Sequence, residues 1–287
     1  MLQSLKDTVR EPSGTKSAII QALKSPVGLS VVWVVVEAEE DVKVYKKFMC
    51  PNSTVVKTSE DDTGRKGYAN VEIIVREVNE EEPQAHIMGI RDTDYTRYEE
   101  GYSAPTNIFL TDRRDLEMLL LEAESVKQSL RTWAPAYDEA FSRCIPVCRH
   151  FGYLRIYNEL AELSVKFHDN LLPNKYWDFK QQAVVASWEQ DITEKFVELS
   201  AGGCTAQDVK VFITTHKLED ENLYDICRGH DLLNLLSLTL VDVQTYSVKA
   251  IMTKMTEAYS LDDFKTTKLY SSIKTWQTTE GVTALVA

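Results

Sequence analysis

Val31-Val32-Trp33-Val34-Val35-Val36-Glu37-Ala38-Glu39-Glu40-Asp41 is an apolar, β-branched run that passes directly into a cluster of carboxylates. A run of that length and composition reads as a strand buried on both faces, the signature of a parallel sheet. His86-Ile87-Met88-Gly89-Ile90-Arg91-Asp92-Thr93-Asp94 repeats the arrangement. Open α/β sheets take their ligands at the carboxyl ends of their strands. Carboxylates gathered at one sheet edge repel one another, and a divalent cation relieves that repulsion. The pair of stretches therefore predicts a Mg²⁺ site built from Glu37, Asp92 and Asp94, with Mn²⁺ as the alternative ion.

Outward from these two strands the pattern alternates. Lys16 to Lys24 reads as a short amphipathic helix capped by Thr15 or Ser17, and Pro26-Val27-Gly28 breaks it. A helix is expected over Glu39 to Met49, a strand over Ser53 to Thr58, and a polar loop over Ser59 to Gly67. A helix over Ala69 to Val78 and a strand over Ala85 to Ile90 follow. Asn107 to Leu110 is the next strand, Thr111-Asp112 reads as a helix cap, and Arg113 to Leu130 as one long helix. This alternation predicts an α/β fold with a parallel sheet flanked by helices. Beyond it, helical spacing over Tyr153 to Leu172, Tyr176 to Leu199 and Leu232 to Leu240 predicts a mainly helical C-terminal extension. Ala206 to Phe212 reads as helix or strand. The expected division is 1–130 for the core and 131–287 for the extension, with a boundary near Trp133-Ala134-Pro135.

The chain has 287 residues, 44% of them apolar, and a net charge of −12, which disfavours non-specific nucleic-acid binding by the chain as a whole. A bound metal or a local basic face can still serve a nuclease. No stretch is long and apolar enough to span a membrane, and the opening Met1-Leu2-Gln3-Ser4-Leu5-Lys6-Asp7 lacks a secretion signal's apolar segment. Five cysteines, with no such segment, point to a reducing cytoplasm.

Strand, Glu37 to Asp41, helix, strand, glycine-containing loop, helix, strand, Asp92-Thr93-Asp94: in this order the chain resembles the Toprim fold family of topoisomerases, primases and OLD-type nucleases. Ala38 stands where that family's first motif has Gly. Gly64-Arg65-Lys66-Gly67, Ile108 to Glu117 and Arg228-Gly229-His230-Asp231-Leu232-Leu233 are similar to a bacterial Toprim branch. That branch includes effector nucleases of anti-phage systems such as the phage anti-restriction-induced system (PARIS). The resemblance implies a metal-dependent endonuclease held by an ABC-type ATPase partner until released, with tRNA or other RNA favoured over DNA as substrate.

Phosphodiester cleavage needs an activated water, neutralised phosphate charge and a stabilised leaving oxygen. Glu37, Asp92 and Asp94 are the main candidate ligands, with Glu37 also a general acid or base. Asp41 and Glu117 are further ligand candidates, Lys66 a phosphate contact, and His230 a proton donor or phosphate contact. Most have a plainer role. Glu39, Glu40 and Asp41 suit a helix start, Asp92 and Asp94 suit turn capping, and Asp231 suits a helix N-cap beside His230. Tyr95, Tyr98 and Tyr102 offer stacking surfaces or packing. Cys144, Cys148, His150, Cys227 and His230 fit no familiar zinc spacing and read as buried or incidental. Leu232 to Leu240 is a candidate homodimer contact, with core packing as the default. The competing functions are a non-catalytic binding subunit and a nucleotidyl-transfer enzyme of primase or topoisomerase type.

Overall fold

The structure is a computed structural model that describes residues 12–58, 67–167, 171–178, 183–240 and 246–286. In chain order the elements are α1 (Pro12–Leu23), α2 (Pro26–Leu29), β1 (Val32–Val36), α3 (Glu39–Tyr45), β2 (Ser53–Lys57), α4 (Gly67–Glu81), β3 (Ile87–Arg91) and β4 (Ile108–Leu110). There follow α5 (Leu116–Glu122), α6 (Glu124–Trp133), α7 (Tyr137–Leu160), β5 (Trp177–Asp178), β6 (Ala183–Val184), α8 (Trp188–Leu199) and α9 (Ala206–Thr215). The last are α10 (Leu223–Ile226), α11 (Gly229–Thr239), α12 (Val248–Ala258), α13 (Leu261–Lys265) and α14 (Lys268–Glu280). The chain forms two compact units, 1–92 with 103–112 and 260–287, and 93–102 with 113–259, rather than parting once near residue 130.

In the first unit the strands form a four-stranded, all-parallel sheet in the order β2-β1-β3-β4. Val34 and Val35 of β1 and Ile87, Met88 and Ile90 of β3 are buried, as the unbroken apolar runs predict. From α4, Val71, Ile74, Val75 and Val78 cover one face of the sheet together with Ile19 and Leu23 of α1. Gly89 lets α4 approach β3: a Cβ there would lie 2.6 Å from Val71 and 2.7 Å from Ile108. Asp112, expected to cap the helix that follows it in sequence, instead accepts the N–H groups of Lys268 (2.7 Å) and Leu269 (2.9 Å) at the start of α14.

In the second unit α7 packs against α8, α9, α10 and α11. Gly152 of α7 meets α10 so closely that a Cβ would lie 2.4 Å from the Ile226 carbonyl oxygen. Because backbone blocks the added atom, Gly152→Ala is expected to lower stability by about 1–3 kcal/mol, measured as a reduced denaturation midpoint. His150 is buried on the same helix, 2.9 Å from the Thr193 hydroxyl, which itself donates to the Glu189 carbonyl. Thr193 therefore accepts from the imidazole, which selects the Nε2–H tautomer.

Burial pulls His150 from its ordinary 6.5 down to about 4. The unfolded chain thus binds a proton that the folded chain refuses. This contribution to stability is intact above about pH 6.5 and shrinks as pH falls toward 4, by about 3 kcal/mol in all. His150→Phe is expected to show a smaller drop in Tm between pH 7 and pH 4.5 than the wild type.

Several sequence expectations shift. The helix foreseen over Arg113 to Leu130 is two helices, broken where Ala123 is extended (φ −65°, ψ 133°). α5 buries Leu116, Met118, Leu119, Leu120 and Leu121, whereas α6 buries Val126 and Leu130, so the break re-aims the apolar face. Of the helix expected over Tyr153 to Leu172, the described residues are helical to Leu160, in an α7 that starts at Tyr137, and 168–170 lie outside the described residues; Glu162 and Ser164 take left-handed φ values of 52° and 57°. Over Tyr176 to Leu199, of which 179–182 lie outside the described residues, the α-helix found is Trp188–Leu199, and β5 and β6 form a short antiparallel pair before it. Ala206 to Phe212 is helical, started by the Thr205–Asp208 capping box. Among the described residues no helix is long and apolar enough to cross a membrane.

Candidate functional site

β1 lies between β2 and β3, so the chain leaves it first to one side and later returns on the other. The two connections diverge at the carboxyl ends of β1 and β3, opening the crevice in which such sheets take ligands. Glu37 directly follows β1 and Asp92 directly follows β3. The Asp92 N–H donates to Glu37 Oε1 at 2.9 Å, which fixes the Glu37 side chain across the gap between the strands. Thr58 donates its hydroxyl to the Glu37 carbonyl at 3.1 Å, tying this residue to the end of β2 as well. On the remaining side, a Cβ on Gly67 would lie 2.9 Å from Glu37 Oε2. Glycine at the first residue of α4 thus leaves room for the carboxylate. Glu37 and Asp92 are both partly exposed.

Arg91, the last residue of β3 and the one before Asp92, is not among the candidates that the sequence alone suggests. Its buried side chain turns toward α4, with Nε 2.9 Å from Glu72 Oε1. An arginine ending an otherwise apolar strand was the available signal.

Of the other candidates, Asp41 lies in the first unit and Asp94, Glu117 and His230 in the second. Asp41 Oδ2 accepts the Ala38 N–H at 2.8 Å, a helix-start role. Glu39 and Glu40 are exposed beside Lys57 (3.6 Å) and Lys43 (3.5 Å). Lys66 and the Gly64 part of its loop lie outside the described residues. Asp94 belongs to the second unit, where its N–H donates to the Arg114 carbonyl at 2.7 Å and its φ is +47°. Asp tolerates that left-handed conformation better than most residues, so this turn has its own use for an aspartate.

Also in the second unit, Glu117 Oε1 lies 3.5 Å from His230 Nδ1. The hydrogen bond to Glu117 holds the exposed imidazole above its usual range. Asp115 is buried at the root of this pair, accepting the Met118 N–H at 3.0 Å and the Gly229 N–H at 2.8 Å. One carboxylate thus caps both α5 and α11. Burial, then the neighbouring Glu117, push it up to about 7. The expected cap, Asp231, lies inside α11 instead, and its carboxylate binds the buried Arg155 at 2.8 and 3.1 Å.

The Tyr95 hydroxyl accepts from Arg114 at 2.5 Å, and its ring lies 4.5 Å from that guanidinium. Tyr98 is desolvated enough to raise its phenol well above the usual range. Both serve packing within the second unit. Cys144, Cys148 and Cys227 are buried, and burial pushes Cys144 and Cys227 up to about 12, far from thiolate chemistry. Leu232, Leu233, Leu235, Leu236 and Leu240 are core residues rather than an exposed dimer face.

Among the described residues no three His, Cys, Asp or Glu side chains are grouped so as to hold a metal ion by themselves. The pair of Glu37 and Asp92 nonetheless suits Mg²⁺, which prefers hard oxygen donors and is commonly held by one or two carboxylates with water and substrate phosphate completing its shell. A scan of the sequence against protein-family models gives no match, and a search of the curated proteins gives none either.

Proposed function

We propose that the chain is a Mg²⁺-dependent nuclease acting at the carboxyl end of β1 and β3. The observation that carries this reading is the 2.9 Å link from the Asp92 N–H to Glu37 Oε1, which holds two acidic residues together at the crevice where the sheet's connections diverge. Glu37 and Asp92 would hold the ion, whose chemistry when bound is to polarise the phosphate and lower the pKa of water. The chain's own part is positional. The Asp92 amide fixes the Glu37 rotamer, and Gly67 leaves space at Oε2. Partial exposure of both residues supports an approach for a phosphodiester.

The resemblance to anti-phage Toprim effectors supports a narrower version: toxicity to an infected cell through cleavage of tRNA or other RNA, with DNA as the second substrate, under control of an ABC-type ATPase partner. Homodimerisation would supply two active sites to one substrate. The competing reading, a non-catalytic binding subunit, draws on the structural roles that Asp41 and the Asp94 backbone already fill.

The test is incubation of the purified chain with bulk tRNA, messenger RNA and plasmid DNA, in Mg²⁺ and in EDTA, alone and after co-expression with the ATPase partner. Cleavage in Mg²⁺ that EDTA abolishes is expected. Intact substrates in every condition would favour the binding subunit.

A further inference from the structure

Away from the carboxylate pair, the first unit contains an open basin of about 750 Å³ whose lining includes Cys50, Lys265, Tyr270, Lys274, Gln277 and Leu285. Its floor is built. The Cys50 N–H donates to the Ala284 carbonyl at 2.8 Å and the Val286 N–H to Phe48 at 2.9 Å, so the segment after α14 lies against the end of α3. Gln277 Oε1 accepts from both the Ala284 and Leu285 N–H groups at 3.1 Å. Phe264 stacks on Phe48 (4.8 Å) and meets Tyr270 edge-on (5.5 Å), holding α13 and α14 in place.

The charge of this basin is opposite to that of the chain. Lys265 and Lys274 are exposed on its lining and, among the described residues, none that line it is acidic, in a protein of net charge −12. Nearby carboxylates are engaged elsewhere: Asp263 caps α13 through Ser260, Asp112 holds the first N–H groups of α14, and Glu280 lies 3.8 Å from His86. Asp262 is exposed in the first turn of α13, where the helix dipole favours it. Lys274 Nζ lies 5.9 Å from the centre of the Tyr270 ring, so a cation and an aromatic face share one wall.

We propose that this basin docks a short single-stranded stretch of the nucleic-acid substrate, with Lys265 and Lys274 on successive phosphates and Tyr270 against a base. The proposal rests on the nuclease reading for its biological sense. Its chemistry is separate: lysines neutralise backbone phosphates, and an aromatic face stacks on any base. A polyanion also fits the charge balance, since the site is locally basic on an acidic chain and substrate would otherwise be repelled.

The test uses the full chain in EDTA, where binding is read without metal or cleavage. A fluorescent single-stranded 12-mer RNA is titrated at several salt concentrations against wild type, Lys265→Glu/Lys274→Glu and Tyr270→Ala. The lysine pair should weaken binding at least tenfold and flatten the salt dependence by about 1.4 in log–log slope, as expected for two lost phosphate contacts on a single strand. Tyr270→Ala should weaken binding about tenfold with the salt slope unchanged. Equal affinity of the wild type and the lysine pair overturns the docking site, whatever Glu37→Gln does to cleavage. A loss seen with anionic phospholipid vesicles but not with RNA overturns it too, in favour of a membrane surface.

Discussion

Glu37→Gln is expected to lower Mg²⁺-dependent cleavage by about 10³-fold while leaving the fold intact, a loss equivalent to the several kcal/mol of charge stabilisation that a metal site supplies. Glutamine is isosteric and keeps an oxygen to accept the Asp92 N–H, so the 2.9 Å link between the ends of β1 and β3 survives. Its amide also fits beside Gly67, where a Cβ would lie only 2.9 Å from Oε2. What it removes is the charge. Thermal stability in EDTA should therefore match the wild type. Addition of Mg²⁺ should raise the wild-type Tm and leave the variant's where it was, because only an ion bound to the folded state shifts the equilibrium. A variant that still responds to Mg²⁺ as the wild type does would remove Glu37 from the metal. Asp92→Asn should behave likewise, since its backbone N–H still donates to Glu37.

The largest expected effect on stability is at Asp231. Arg155 is buried, bonded by both its Nε and Nη2 to the Asp231 carboxylate, and its guanidinium lies 4.2 Å from the centre of the Phe167 ring. Burial alone already disfavours the arginine's charge. Asp231→Ala leaves that charge without its carboxylate, and the expected loss is about 3–5 kcal/mol, or roughly 10 °C in Tm. Arg155→Met combined with Asp231→Leu should recover most of it, because a well-packed apolar pair needs no desolvation of ions. Urea denaturation of the two single variants and the double variant measures the coupling. If Asp231→Ala alone lost less than about 1 kcal/mol, the pair would contribute no more than a solvent-exposed bridge.

The sheet was legible because its signal is local and redundant. Val32–Val36 and Ile87–Arg91 are short apolar runs buried on both sides, and nothing but a parallel strand suits them. The same runs pointed to Glu37 and Asp92, whose positions follow from where each strand ends. The helical half was less legible, since its helices stop for reasons spread through the packing. Ala123 breaks a continuous helical pattern without Gly or Pro, and Pro146 lies inside α7 although its type usually ends a helix. Ser260 with Asp263 starts α13 and Gly281 at φ 68° stops α14, local signals that the sequence reading above leaves unused.

Capping was misassigned where the bond is long-range. Asp115 reaches Gly229, and Asp112 reaches Lys268, over separations that spacing along the chain cannot encode. Asp94 illustrates the same limit for function, because an aspartate suits its left-handed turn as well as a metal.

The most direct test of the nuclease account is induction of wild-type and Glu37→Ala protein in cells, with and without a neighbouring ATPase gene, followed by sequencing of all RNA and DNA ends. The account predicts new ends at defined sites with the wild type when the partner does not restrain it, and none with Glu37→Ala. Toxicity of the wild type with no new ends, or identical ends from both proteins, would contradict it.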